Sequence, residues 1–218
     1  MAVSGSRKRT PRRTRGTGGD VSGGRAAERA REATRARLRA SGRKLLAERG
    51  LHAVTSHEIA SAAGVAAGTF YLHFRDKEEL FRELVAEAIS ELESRLEQAV
   101  GPVRDRVEAA ARARAETLLA FAEDNAELVR LAFGRGAEAS GIGADVLDRF
   151  AARLERNIFA KRFHAKDGLE PAVTAQALVG MWARVAIWWA QSPGRVPRDS
   201  VLQTLVELQL SGIRGGPP

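Results

Sequence analysis

From Arg25 to Gly212 no stretch of this chain alternates apolar and polar residues with a period of two. That absence constrains the fold more than any single residue does, because a half-buried strand needs such alternation. Ala, Arg, Leu and Glu dominate instead, with Val, Ile and Thr scattered singly and Gly and Pro falling as isolated punctuation. These are residues that lose little on entering a helix. The pattern is all-α, with no internal repeat.

The punctuation divides the chain into about nine helices. The first is expected from about Ala27 to Arg49, with Leu38, Leu45 and Leu46 at helical spacing and Gly50 as its stop. Ser41 and Gly42 leave a notch where another helix can pack closely. Thr55-x-x-Glu58 is a capping box that opens a short helix to Ala63. Gly64 supplies a turn, and a second short helix follows from Ala66 to Phe74. Asp76-x-x-Glu79 opens a long fourth helix, Lys77 to Ala99. Pro102 at N1 starts a fifth, to Glu123. Asn125 caps a sixth, which ends before Gly134, and 134–143 is a loop. The seventh runs from Ala144 to Ala165. Pro171 starts the eighth, which ends before Pro193, and Pro197 starts the ninth.

Charge is unevenly placed along the 218 residues, whose formal net charge is +8. Residues 1–49 carry 15 Lys and Arg against 4 acids, and residues 50–218 carry 20 against 23. Such asymmetry points to a polyanion met by one end of the molecule. Nucleic acid is the first candidate and a membrane surface the second. Residues 1–24 show no period and few branched apolar side chains, so they are expected to be a disordered basic arm. The arm is either a solubilising tail or a source of phosphate contacts that enters a minor groove.

Several chemistries are excluded. There is no Cys, hence no disulfide scaffold, Cys-ligated zinc or thiol catalysis. His52, His57, His73 and His164 show no metal-binding spacing. No metal, cofactor or acid–base constellation is expected, and the chain does not read as an enzyme. The longest apolar stretch, Ala177 to Ala190, has 14 residues and is broken by Arg184, too short to span a bilayer. With no secretory signal, the expected setting is the cytoplasm, away from membrane.

Ala63-Gly64-Val65 between two short helices is a helix-turn-helix arrangement, whose second helix can enter a major groove. The hydroxyls of Thr55 and Ser56 sit at the start of the first helix, where N–H groups suit phosphate. The second helix presents Ala67, Gly68, Thr69, Tyr71 and His73, small or polar groups that let backbone approach base edges.

Residues 33–80 resemble the DNA-binding domain of the tetracycline-repressor (TetR) family of transcriptional regulators. The resemblance rests on Gly50, Thr55, Ile59, Ala60, Ala63, Gly64, Val65, Gly68, Thr69, Phe70, Tyr71, His73, Phe74, Lys77 and Leu80, fifteen matches across 31 positions. It implies that Thr55 and Lys77 contact phosphate, that Thr69 with Ala66, Ala67 and Gly68 faces the bases, and that Tyr71 and His73 hold the DNA backbone. Val65, Phe70 and Phe74 would pack with Leu38, Leu45, Leu46 and Ile59. Two positions depart from the family: Ala66 stands where Ser usually caps the recognition helix, a loss of about 1 kcal/mol, and Ala67 stands where Lys is common. Arg29, Arg31, Arg35 and the arm are the candidates to compensate.

The domains expected are an arm (1–24), a three-helix DNA-binding domain (25–80) and a helical ligand-binding and dimerisation domain (81–218). The resemblance implies a cavity between the fourth and eighth helices for a hydrophobic or aromatic small-molecule effector. Candidate walls are Phe121, Phe133, Phe150, Phe159, Met181, Trp182 and Arg184, and the polar residues within reach are Arg114, Asn125, Arg130, Asn157 and Gln176. The eighth and ninth helices carry more apolar residues than one buried face needs. Val185, Trp189, Leu202, Leu205 and Val206 are therefore the expected homodimer interface. The reading is a dimeric repressor on a palindromic double-stranded operator, released by a ligand. Its rivals are a sequence-neutral architectural DNA binder and a small-molecule-binding enzyme without DNA affinity.

Overall fold

The computed structural model describes residues 20–134, 141–160, 168–192 and 194–212. Among them the elements are α1 (Asp20–Arg49), α2 (Ser56–Ala62), α3 (Ala67–Tyr71), α4 (Lys77–Val100), a 3-10 turn (Gly101–Val103), α5 (Val107–Asp124), α6 (Ala126–Phe133), α7 (Ile142–Phe159), α8 (Pro171–Gln191) and α9 (Arg198–Ser211), with no strand. Residues 1–19 of the expected arm, most of the expected 134–143 loop, Phe163, His164 and the expected end of the seventh helix at Ala165 lie outside the described residues.

Most helix starts follow the local chemistry. Thr55 Oγ1 accepts from the Glu58 amide at 3.2 Å, and the Thr55 amide donates back to Glu58 Oε2 at 2.8 Å. Asp76 Oδ1 accepts from the Glu79 amide at 2.6 Å to open α4. Ala66 makes no side-chain cap at α3, as its side chain requires.

Five elements differ from the spacing. α7 runs from Ile142 to Phe159 rather than from Ala144 to Ala165. α1 begins at Asp20, so it takes in residues 20–24 of the expected arm; nothing packs near Gly23 or Gly24, and the Ala/Arg/Glu-rich run that follows propagates the ladder N-terminally. α3 ends at Tyr71 rather than Phe74. Pro102 sits in the 3-10 turn that extends α4, and α5 starts at Val107 after an extended Arg106. Asn125 stands at the N-cap of α6 as expected, but its side chain makes no cap hydrogen bond. Its Nδ2 donates to the Phe121 carbonyl at 3.2 Å, and its Oδ1 accepts from Arg43 at 3.5 Å.

The head is a three-helix unit around Leu38, Leu46, Ile59, Phe70 and Phe74, all essentially fully buried. The notch at Gly42 is filled: a Cβ there would stand 2.6 Å from Leu80 Cδ2 on α4. The head's core does not stop at residue 80. It continues without a gap through Phe81, Leu84, Ala88 and Leu92 to Leu128 and Ala132 on α6. A second core joins α5, α7, α8 and α9 around Leu119, Leu154, Trp182 and Leu202. α4 thus belongs to both head and body.

Ion pairs fasten the same joint. Arg35 grips Glu83 on α4 with Nε and Nη2 and donates through Nη1 to the His73 carbonyl at 2.9 Å. Its guanidinium lies 4.4 Å from the Phe74 ring centroid. Arg39 adds bonds to Glu83 at 3.1 Å and Glu87 at 2.5 Å. Arg35 is therefore committed to the joint and is not the spare DNA contact suggested by its position in the sequence.

Candidate nucleic-acid interface and ligand cavity

Gly64 takes φ +66°, a left-handed conformation that costs glycine little, and turns the chain from α2 to α3. The turn is closed by the Val65 amide on the Ala60 carbonyl at 3.0 Å. Phe70 points inward, which sends Gly68 and Tyr71 to the surface and leaves Ala67 and Thr69 half-exposed. Gly68 has ordinary negative φ, and a Cβ there would touch nothing within the chain. No internal packing demands glycine at this position.

Tyr71 is 53% exposed, its ring edge-on to Phe70 at 5.4 Å and to His57 of α2 at 6.4 Å. Leu72, 72% exposed beside it, went unnoticed in the sequence because its spacing carries no signal. Thr55 and Ala66 are exposed and Ser56 half-buried at the same end. The Thr55 hydroxyl also lies 2.8 Å from Glu58 Oε2, so its first task is the cap. The Glu58 carboxyl is held down to about 2, chiefly by the hydrogen bond from Arg49 and then by those from Thr55. Arg49 pairs with it at 2.8 Å and offsets its charge where a phosphate would approach.

Lys77 Nζ donates to the Val54 carbonyl at 2.9 Å, which ties the start of α4 to the segment before α2. An ammonium has three donors, so one bond does not exhaust it. His73 is half-buried. Its Nδ1 is buried without a partner. Burial first, then the charges of Arg31 and Arg35, push its pKa down, so at neutral pH the ring is uncharged and Nδ1 faces the protein.

The body holds a partly open cavity of about 380 Å³ between α4, α5, α6, α7 and α8. Phe121, Phe133, Phe150 and Trp182 line it, with Ile89, Leu92, Val129, Val146, Val179 and Ile187. Three expected wall residues do not. Phe159 is 69% exposed at the end of α7, Met181 packs against the second core, and Arg184 is exposed. The reason is helical phase: α8 turns Val179, Trp182, Ala183 and Ala186 to the cavity, and Met181 and Arg184 lie about 100° away from that stripe. Of the polar candidates Arg114 and Asn157 line the cavity, and Asn125, Arg130 and Gln176 do not. Glu97, Arg104 and Arg153 line it too and were missed, because charged residues near helix ends look solvated in sequence. Burial pushes the Arg114 guanidinium down to about 10.

The expected dimer residues are also relocated. Trp189, Leu202, Leu205 and Val206 are buried inside their own chain, and Val185 packs against the same cluster. α5 and α7 absorb the apolar excess that the sequence assigned to a second copy. Trp189 Nε1 donates to Glu123 on α5 at 2.7 Å, which fixes α8 in that role. No helix among the described residues is long and apolar enough to cross a membrane.

A helix-turn-helix head with an open glycine on its second helix, joined by one long helix to a partly open, largely apolar cavity, is the architecture of a DNA-binding transcriptional regulator. The model of bacterial regulatory proteins of the tetR family matches residues 38–84. The HTH-type regulator YdgC of Bacillus subtilis is 28% identical over 136 residues, 61% of this chain and 69% of its own. The HTH-type transcriptional activator FasR of Mycolicibacterium smegmatis is 26% identical over 187 residues, 84% of each chain. The repressor KstR2 of Mycobacterium tuberculosis is 49% identical, over only 41 residues, 19% of this chain and 20% of its own. Among solved structures, the fatty acid degradation regulator FadR of Bacillus halodurans has a TM-score of 0.70 at 20% identity and covers 83% of this chain and 96% of its own. FadR of Bacillus subtilis, solved with stearoyl-CoA, has a TM-score of 0.61 at 19% identity over 82% and 98%. Residues 38–84 thus match the DNA-binding region of the tetR family, and the relatives that match more of the chain are transcriptional regulators.

Proposed function

We propose that this regulator is a dimeric repressor that leaves a palindromic operator when a small molecule enters its cavity. The observation that carries the reading is the double membership of α4. Its first turn holds Lys77 and Asp76 beside α2, and its second half, from Ile89, walls the cavity. A ligand that prefers one tilt of α4 thereby prefers one placement of the head. Repression is favoured by the match of the head to KstR2; the activator FasR, matched over more of the chain, is the alternative.

Gly68, Thr69, Ala67 and Tyr71 would meet the bases and sugars, with Ala66 close to the backbone. Thr55, Ser56 and Lys77 would bind phosphate. Arg29 and Arg31, exposed on α1, join the basic arm in adding sequence-neutral affinity. The twofold axis would lie against the outer faces of α8 and α9, where Val173, Ala177, Gly180 and Leu210 are exposed.

Selection of bound sequences from random DNA by the full chain tests the reading. The expected result is an inverted repeat with half-sites roughly 34–36 Å apart or a little more. It should outcompete random DNA at fixed salt, and deletion of the gene should raise transcription from promoters that carry it. Equal binding of random and selected DNA would favour an architectural role, and lowered transcription would favour an activator.

A further inference from the structure

From Gly50 to Phe74, the length of the helix-turn-helix, the chain has no Lys, Arg, Asn or Gln. The whole chain carries 35 Lys and Arg, so this gap does not follow from composition. Those four types are the ones that grip a base edge with two hydrogen bonds, Arg and Lys on guanine, Asn and Gln on adenine. Carboxylates read the amino group of cytosine, and the stretch has one, Glu58. It is already engaged: Oε2 accepts from the Thr55 amide at 2.8 Å and Oε1 from Arg49 at 2.8 Å.

The neighbouring polar groups do not fill the gap. His52 lies between α1 and α2, His57 lies on α2 against the Tyr71 ring, and His73 follows α3 with Nδ1 turned into the protein. The first cations after the stretch, Arg75 and Lys77, also stand past the end of α3. Arg75 pairs with Asp76 at 3.5 Å, and Lys77 donates to the Val54 carbonyl at 2.9 Å.

What α3 presents instead is apolar. Leu72 is its C-cap and keeps helical φ −76° and ψ −16°, so Gly68, Tyr71 and Leu72, at i, i+3 and i+4, share one face. Leu72 is 72% exposed, more than any other large apolar side chain among the described residues. It does not fold back over its own helix, since a Cβ on Gly68 would meet nothing within 4 Å. A lone exposed leucine is ordinary on a protein surface. This one shares its face with the residues assigned to the major groove, where a single base carries an apolar group, the C5-methyl of thymine.

We propose that this head selects its operator through thymine methyl groups, and that Leu72 is a specificity-determining residue that packs on one of them in each half-site. The inference rests on the reading of α3 as the helix that enters the major groove. Guanine, adenine and cytosine find no paired or charged reader on α3, whereas thymine finds a partner of matching chemistry. The hydroxyls of Thr69 and Tyr71 add single hydrogen bonds that more than one base can satisfy. A basic arm in the minor groove is blind to the methyl, which projects into the major groove.

The test starts from duplexes that the full chain selects from random DNA. Each thymine of the recovered site is replaced in turn by deoxyuridine in both half-sites, which removes the methyl and keeps every hydrogen-bonding group. At one thymine per half-site, affinity at fixed salt should fall by about tenfold, or roughly threefold to fourfold for each methyl returned to water. Leu72→Ala should bind the thymine site more weakly than the wild type and should no longer distinguish thymine from uracil there. Its salt slope should equal that of the wild type, because no phosphate contact is lost. A cytosine at the same position should be bound better when it carries a 5-methyl group. Should Leu72→Ala fail to fold, Leu72→Gln removes the apolar contact at similar length and answers the same question. Indifference to uracil at every position, or a thymine preference intact in the Leu72 variant, would overturn the proposal. Recovery of no preferred sequence defeats the reading of α3 as a base reader, and this inference with it. A preferred sequence without sensitivity to uracil defeats this inference alone.

Discussion

Helices α3 and α8 both carry aromatic residues, yet residue type fixes position in one and not in the other. α3 spans five residues between a glycine turn and the capped start of α4. Once Phe70 is buried, the phase of every neighbour follows, and Gly68 and Tyr71 have nowhere to go but out. α8 spans 21 residues and is apolar on most of its circumference. Its phase is chosen by α5, α6 and α7, which sequence does not display. An apolar side chain locates itself only when its helical neighbours are polar enough to exclude the other orientations.

The sharpest way to break this comparison is to put a charge where the two assignments of α9 disagree. Leu205→Asp should destabilise the protomer by about 4 kcal/mol or more, since the carboxylate would enter the body's own core. Ala177→Asp, on the open face of α8, should leave the melting temperature nearly unchanged and shift the sedimentation of a dimer toward monomer. A stable Leu205→Asp monomer would return that residue to an intersubunit contact.

Next in size is a pair of truncations. Phe70→Ala, in the packed head, should cost about 3–5 kcal/mol in urea unfolding. Phe150→Ala, half-buried beside the cavity, should cost clearly less, because part of its surroundings is already empty. Because one core runs from the head into the body, a single cooperative transition is expected; a head that melts first would separate them.

A smaller effect is expected on DNA. Lys77→Ala should weaken binding to all sequences and reduce the salt slope by about one unit, whereas Thr69→Val should alter base preference at one position per half-site. If both variants bind the operator as the wild type does, the head's contact surface has been misplaced.

The smallest effect concerns Glu58. Its folded pKa, about 2, lies below the ordinary value of 4.5. Its contribution is therefore complete above the unfolded value and is lost as pH falls through the folded one. Between pH 5 and 2 the wild type should lose its margin over Glu58→Gln, which keeps the cap but not the Arg49 pair. A constant difference in melting temperature across that range would count against the assignment.

The all-α class, the Thr55 and Asp76 caps, the Gly64 turn and the Gly42 notch were legible because each rests on a backbone rule that acts within a few residues. The head's buried set was legible for the same reason. The Asn125 side chain, Pro102 and the start of α1 were misread because a local preference was overridden or had no competitor. The cavity was half legible: Phe121, Phe133, Phe150 and Trp182 were found by bulk, but Phe159, Met181 and Arg184 were misplaced for want of phase. Arg153 and Arg104 were missed because an arginine with a nearby carboxylate looks the same whether it faces a chamber or bulk water.

The clamp of Arg35 and Arg39 on Glu83 and Glu87 has a mechanical consequence. It holds the first three turns of α4 to the head, so any bending must occur further along, where the cavity begins. From Lys77 to Ile89 is twelve residues, or about 18 Å at 1.5 Å per residue. A tilt of about 10° there would carry the head roughly 3 Å, close to the spacing of one base-pair step, ~3.4 Å. In a pair of heads gripping one duplex, a displacement of that size is a full register error, and no local unfolding is needed to produce it.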